Sequence, residues 1–144
     1  MEIKMTRDTM SDIYFDALKI RNQVFVKEQN VPYALEVENP LEEAQAVHFV
    51  LYENGKALAT VRLLVKSDEN LVQRMAVVKS ARGLGYAGKI LSNLIEFAKQ
   101  NQIHELTLHA QLSARSLYEK FGFEPFGEIF EEAGIQHISM KKTL

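Results

Sequence analysis

Between a β-rich run, Leu71 to Val78, and a helix-periodic run that starts near Ala87 lies Arg82-Gly83-Leu84-Gly85-Tyr86-Ala87-Gly88, and no other feature of the sequence narrows the fold as much. Glycines at 83, 85 and 88 let the backbone turn sharply from strand into helix and leave its N–H groups bare. Those groups meet the positive end of the helix dipole, which suits an anion such as phosphate. Lys79, Arg82 and Lys89 add positive charge, and no acid between Leu71 and Ile95 is expected to oppose it. A plain strand-to-helix turn without a ligand would use the same residues.

The flanking chain reads as strands and helices in alternation. Residues 2 to 7 alternate like a short strand. Thr9 or Ser11 can then cap a helix to about Val26, with Ile13, Ala17, Ile20, Val24 and Phe25 on its apolar stripe. Asn39, Pro40 and Glu42 carry the chemistry of a helix start, which predicts a short helix near 40 to 45. Ala46 to Glu53 and Lys56 to Lys66 are β-rich and flank Asn54-Gly55, a strong hairpin signal. Past the glycine run, Ala87, Leu91, Leu94 and Ala98 recur at helical spacing to about Gln100. Leu106, Leu108 and Ala110 alternate with polar residues, as in a strand apolar on one side. A helix from about Ser113 to Lys120 ends at Gly122, and Phe123 to Phe130 with Ile135 to Lys142 predict a closing hairpin. This order predicts a mixed α/β sheet in one domain over residues 1–144.

Composition removes several chemistries. Cysteine is absent, so disulfides, thiolate metal sites and a cysteine nucleophile are all excluded. His104 and His109 are five apart on one expected strand and so on opposite faces, and no metal is expected. A net charge of -2 gives no global attraction to nucleic acid. No apolar run approaches the roughly 18 residues of a membrane span. The N-terminal Met-Glu-Ile-Lys-Met-Thr-Arg-Asp lacks the apolar stretch of a signal peptide, so a cytoplasmic protein with no membrane or nucleic-acid partner is expected. Charge is sorted along the chain. Glu28, Glu36, Glu38, Glu42, Glu43 and Glu53 form one acidic block, and Glu124, Glu128, Glu131 and Glu132 form another, with Arg74, Lys79, Arg82 and Lys89 between them. Such sorting fits an anion held mid-chain and a cation drawn to the acidic segments.

Three motifs overlap in the glycine run. Gly83-x-Gly85-x-x-Gly88 fits the dinucleotide fingerprint, but it sits mid-chain, four residues after its strand, with too little chain behind it for a doubly wound sheet. Gly83-x-x-x-x-Gly88-Lys89 resembles a P-loop, but Ile90 stands where Ser or Thr must reach magnesium. Arg82-x-x-Gly85-x-Ala87 matches the Gln/Arg-x-x-Gly-x-Gly/Ala signature of the GNAT superfamily of acyl-CoA-dependent N-acetyltransferases. Gln111-x-x-Ala114-x-x-Leu117-Tyr118-Glu119-Lys120-Phe121-Gly122-Phe123 is similar to a second block of that superfamily, in the right order and spacing. Phe25-Val26-Lys27-Glu28-Gln29, Val31-Pro32, His109-Ala110-Gln111 and Gly134-Ile135-x-His137 resemble a small bacterial-type branch of it.

The resemblance implies an α/β (α+β) GNAT fold with a mixed, mostly antiparallel sheet, splayed at its middle and carrying helices on both faces. It implies that Met75, Ala76 and Val77 pair by their backbone with the pantetheine arm of acetyl-CoA, while Arg82, Gly83, Leu84, Gly85, Tyr86, Ala87 and Gly88 wrap its pyrophosphate. Gln111 stands where the family usually has Asn and can offer an amide to the same ligand. Independently of any family, a splayed strand leaves N–H and C=O groups that an amide-bearing arm can satisfy, and one N–H can stabilise an oxyanion. The implied reaction is direct attack of a primary amine, of a small molecule or a peptide, on acetyl-CoA through a tetrahedral intermediate. A lysine-like amine is neutral in roughly one molecule in two thousand at pH 7, so a proton must be removed. By the family pattern Tyr118 protonates the departing thiolate. The base stays open. Leu71 to Val78 carries no acid, and Glu28, His109, Glu131 and His137 are the candidates for it and for contacts with the acceptor. An acyl-CoA-binding sensor without turnover is the alternative, and open hairpin edges are compatible with a homodimer.

Overall fold

Strands β1 (Glu2–Thr6), β2 (Val47–Glu53), β3 (Lys56–Val65), β4 (Asn70–Val77), β5 (Glu105–Gln111), β6 (Glu124–Glu132) and β7 (Ile135–Thr143) make one sheet in the order β1-β2-β3-β4-β5-β7-β6. The computed structural model describes residues 1–36 and 39–144, so Glu38 of the first acidic block lies outside the described residues. Every neighbouring pair is antiparallel except β4 and β5. Asn54 (φ 52°) and Gly55 (φ 77°) make the β2–β3 turn with both central residues left-handed, as the sequence predicts.

Helix α1 (Asp12–Arg21) starts at Ser11, whose hydroxyl accepts the Tyr14 N–H at 3.3 Å. Helix α2 (Tyr33–Glu36) has no counterpart in the sequence reading. Helix α3 (Pro40–Gln45) is capped by Asn39 on the Glu42 N–H at 3.1 Å. Helix α4 (Tyr86–Gln100) makes the crossover that a parallel β4–β5 pair requires, and α5 (Arg115–Lys120) follows β5. Adjacent residues of a strand point to opposite faces, so β2 serves both layers. Phe49 and Leu51 pack with Ile90, Leu91 and Leu94 of α4, while Val50 packs with Ala17 and Ile20 of α1. The expected α-helix to Val26 stops at Arg21. Asn22–Glu28 continue as a π-helical segment, closed by the Gln29 N–H on the Val24 carbonyl at 3.0 Å. Widening the turn by one residue buries Val24 and Phe25 side by side and re-aims the side chains that follow.

Beneath α1 the chain buries charge. Arg21, 1% exposed, donates to Glu43 at 2.8 and 2.9 Å and to Glu36 at 2.5 Å. Arg62 reaches the same Glu43 carboxylate, and Tyr14 donates its hydroxyl to it at 3.0 Å. Arg62 also forks onto the Gln73 amide oxygen at 2.8 and 3.0 Å. This network ties α1, α2, α3, β3 and β4 together at one end of the sheet. Burial alone would raise the Glu43 pKa, but hydrogen bonds from Arg21 and the charges of Arg21 and Arg62 outweigh burial and lower it to about 2. Stability from Glu43 is therefore complete above its ordinary value of 4.5 and fades as pH falls toward 2. We expect Glu43→Gln to cost about 3–5 kcal/mol at pH 7, because the buried Arg62 loses its close carboxylate partner and Arg21 keeps only Glu36. Urea unfolding should also show a flatter loss of stability in this variant than in the parent between pH 4.5 and 2.

Candidate functional site

β4 leaves β5 almost at once. Only Leu71↔Thr107 and Val72↔Leu108 pair, and the ladder then ends. On its other edge β4 carries a bulge, with Arg74 and Met75 together opposite the single residue Val61. Arg74 takes φ 57°, which swings the strand after it. Beyond the bulge, Ala76 pairs with Thr60 and Val77 with Ala59, so the backbone of residues 75 to 77 is held by β3 and faces β5 across a gap. That gap is a cleft of about 640 Å³, walled by β4, by Leu108, His109 and Gln111 of β5, and by Tyr118 of α5.

The cleft meets the glycine run. After a 3₁₀ turn at Lys79–Ala81 the chain reaches Gly83 (φ 80°) and Gly85 (φ 82°), both left-handed, with Leu84 exposed between them. Gly85 is the residue before α4, and no side chain caps the helix. A Cβ on Gly83 or Gly85 would meet no atom within 4 Å, so the loop is open on its ligand side. Gly88 has another job. Its Cβ would stand 3.1 Å from the Phe121 ring, and the residue keeps α4 close to the segment after α5. Ala87 lines the cleft, and Tyr86 turns away to donate to Glu53 at 3.3 Å.

The expectation that no carboxylate opposes the loop's positive charge is corrected here. Arg82 is forked onto Glu28, 2.7 Å for one arm, and its Nε donates to the Val77 carbonyl at 3.0 Å. The hydrogen bond and charge of Arg82 hold the Glu28 carboxyl below its usual range. Arg82 thus braces the loop, Glu28 is tied to it as an ion pair, and Lys79 and Lys89 remain the cations beside the loop. Glu28 and Arg82 lie 54 residues apart, and the π-helical turn brings them together.

Gln111 shows a similar pairing. Its amide exchanges two hydrogen bonds with Gln29, at 3.0 and 3.3 Å, across the cleft. Gln29 was visible in the sequence only as part of the Phe25-to-Gln29 block. Tyr118 is 6% exposed, lines the cleft and packs edge-on against Phe123. Burial pushes its hydroxyl pKa up, so it stays protonated through the neutral range. His109 and His137 also face the cleft. Glu131, a sequence candidate, is exposed and does not line it, and its neighbour Glu132 does, 3.7 Å from His109 Nδ1 and 3.8 Å from His137 Nε2. The sequence carried the signal for this exchange. A two-residue turn at Ala133-Gly134 aligns Glu132 with Ile135 and Phe130 with His137, which puts Glu132, Phe130 and His137 on one face.

Glu36 and Glu43, which the sequence suggested as attractors of a cationic acceptor, are buried against Arg21, Arg62 and Arg74, so they carry little of the surface field. Arg74 lines the cleft, and its Nε is the one buried side-chain polar atom without a hydrogen bond among the described residues. No helix among the described residues is long and apolar enough to cross a membrane.

Known proteins share this fold. A model of the acetyltransferase (GNAT) domain matches residues 8–144. The chain is 35% identical over 128 residues to a Bacillus subtilis protein named uncharacterized N-acetyltransferase YjcF, covering 88% of this chain and 90% of that one. It is 32% identical to protein ElaA of Escherichia coli, covering 88% and 85%. The crystal structure of Escherichia coli ElaA superposes with a TM-score of 0.88 over 99% of both chains at 26% identity. With the glycine loop, the parted strands and the helices on both faces in place, the chain belongs to the GNAT acetyltransferase family.

Proposed function

We propose that the protein transfers an acetyl group from acetyl-CoA to a primary amine of a small molecule or peptide. The observation that carries this reading is the end of the β4–β5 ladder at Val72 and Leu108, which leaves the β4 backbone of residues 75 to 77 facing a cleft that opens at the uncapped start of α4. The residues fit such a donor. The open loop at Gly83 and Gly85, the bare N–H groups of the first turn of α4, and Lys79 and Lys89 suit a diphosphate. The gap beside Met75, Ala76 and Val77 suits an extended amide-bearing arm that adds like a strand. The family supports an acyl-CoA-dependent acyltransferase. Among solved neighbours, an aminoglycoside 6'-N-acetyltransferase complexed with coenzyme A shares the fold, with a TM-score of 0.72 at 13% identity.

In this reading Tyr118, buried and protonated, donates to the sulfur as the thioester bond breaks. Gln111 gives up its bonds to Gln29 or keeps them and positions the arm. The rim formed by Glu132, His109 and His137 receives the amine. Single-domain organisation over 1–144 and a cytoplasmic location go with this reading, and a sensor that binds the donor without turnover is the competing one.

Three outcomes test the reading, and the absence of cysteine leaves thiol detection free of protein background. Acetyl-CoA or CoA at a hundredfold excess over Kd should stabilise the fold by about 2.7 kcal/mol in a thermal shift, whereas NADH and ATP should not. Gly85→Val should abolish that shift, since position 85 needs φ 82° and its side chain would stand in the cradle. Tyr118→Phe should keep the shift but lower kcat for thiol release about 10²-fold. Binding with no thiol release for any amine would favour the sensor, and an unimpaired Tyr118→Phe would remove the donor role.

A further inference from the structure

The base that removes the acceptor's proton has no carboxylate on β4 to supply it, and the far wall of the cleft holds a better-placed group. We propose that His137 is the general base of the transfer, accepting at Nε2 the proton lost by the acceptor nitrogen, with Glu132 and Phe130 as positioning residues. The proposal rests on the acyltransfer reading above.

The ring's tautomer is fixed by the backbone. His137 Nδ1 lies 2.7 Å from the Ile135 carbonyl oxygen, which can only accept, so Nδ1 carries the hydrogen and Nε2 of the neutral ring keeps a lone pair. Phe130 stacks on the same ring at 5.8 Å and 22° and holds its plane. His137 is 7% exposed, yet it lines the cleft, and it sits opposite Gln111 on β5 and Phe130 on β6, one rung across three strands. Glu132 Oε2 stands 3.8 Å from Nε2, too far for a hydrogen bond between them. A primary amine seated beside the pair reaches both at about 2.9 Å, one N–H on the carboxylate and one on Nε2. His109 also faces Glu132, at 3.7 Å, but it is exposed, and its ring meets Phe130 edge-on without a backbone acceptor. Glu132 is the charged group nearest the His137 ring, Glu132 in turn meets His109, and Tyr118 lines the same cleft.

The step balances. The acceptor ammonium leaves one proton to water on binding. The amine's lone pair forms the N–C bond to the thioester carbonyl, and its second proton passes to His137 Nε2. The C–S bond breaks with its electron pair on sulfur, which takes the Tyr118 proton, and the imidazolium returns its proton to the Tyr118 oxygen through water. The products are the N-acetylated amine, CoA and one proton.

The test compares the parent with His137→Gln, His109→Gln and Glu132→Gln, using acetyl-CoA with spermidine and with Nα-acetyl-lysine amide. His137→Gln should lose kcat/KM about 10²-fold or more and lose the acid limb of its pH profile, while CoA still shifts its melting temperature as in the parent. Glu132→Gln should raise KM for both amines several-fold with a smaller change in kcat, because the carboxylate that accepts one N–H of the amine beside Nε2 is gone. Imidazole ¹⁵N spectra of the free protein should show His137 protonated at Nδ1. A proton on Nε2 at neutral pH, a His137→Gln variant as active as the parent, or a loss that falls on His109→Gln instead would overturn the proposal while leaving acyl transfer intact. A parent that binds CoA and releases no thiol with either amine would overturn the acyltransfer reading and this proposal with it.

Discussion

When β4 parts from β5 after Val72, backbone groups that a continuous sheet would pair are left facing a gap, and the surrounding structure is arranged to keep that gap from closing. Unpaired buried N–H and C=O groups are costly, so strands left to themselves zip together. Here the left-handed Arg74 and the bulge it creates turn β4 aside, and the buried Arg21, Glu36, Glu43 and Arg62 hold α1, α2 and α3 against the displaced stretch. A buried ion pair is a poor source of net stability, but it is exacting about geometry, and geometry is what an open strand edge requires.

The π-helical segment that lines the cleft with Val24 and Phe25 also fixes its two ends. By widening the helical turn after Arg21, this segment directs Glu28 to Arg82 at the loop and Gln29 to Gln111 on β5. The cradle and the opposite wall are therefore positioned from one segment. Arg82, which the family resemblance places at the pyrophosphate, lines the cleft and also commits its guanidinium to Glu28 and to the Val77 carbonyl, which braces the loop.

What could be read in the sequence was what local signals specify. Asn54-Gly55, the Asn39 cap, the periodic face of α4 and the glycine run each act within a few residues, and each appears where expected. The parted strands came from family resemblance, since nothing in the residues Leu71 to Val77 announces a break in pairing. Tertiary partners were out of reach. An acid such as Glu43 looks like a solvated side chain until Arg21 and Arg62 arrive from 22 and 19 residues away. The exchange of Glu131 for Glu132 turned on strand parity, which a one-residue change in hairpin register reverses. Gly88 reads in the sequence as one more glycine of the loop, and only the Phe121 ring shows that it also spaces α4 from the segment after α5.

Among the described residues, the two pairs Leu71↔Thr107 and Val72↔Leu108 are also the only rungs that join the β1–β4 half of the sheet to the β5–β7 half. They behave mechanically as a hinge. The arm from that hinge to Val77 is five residues, about 16 Å, so a rotation of about 5° moves its tip by about 1.4 Å. A displacement near 1 Å at reacting atoms is enough to slow a reaction about a hundredfold. Rigidity at these two rungs, where the cleft begins, thus sets how faithfully its two walls present their groups to one another.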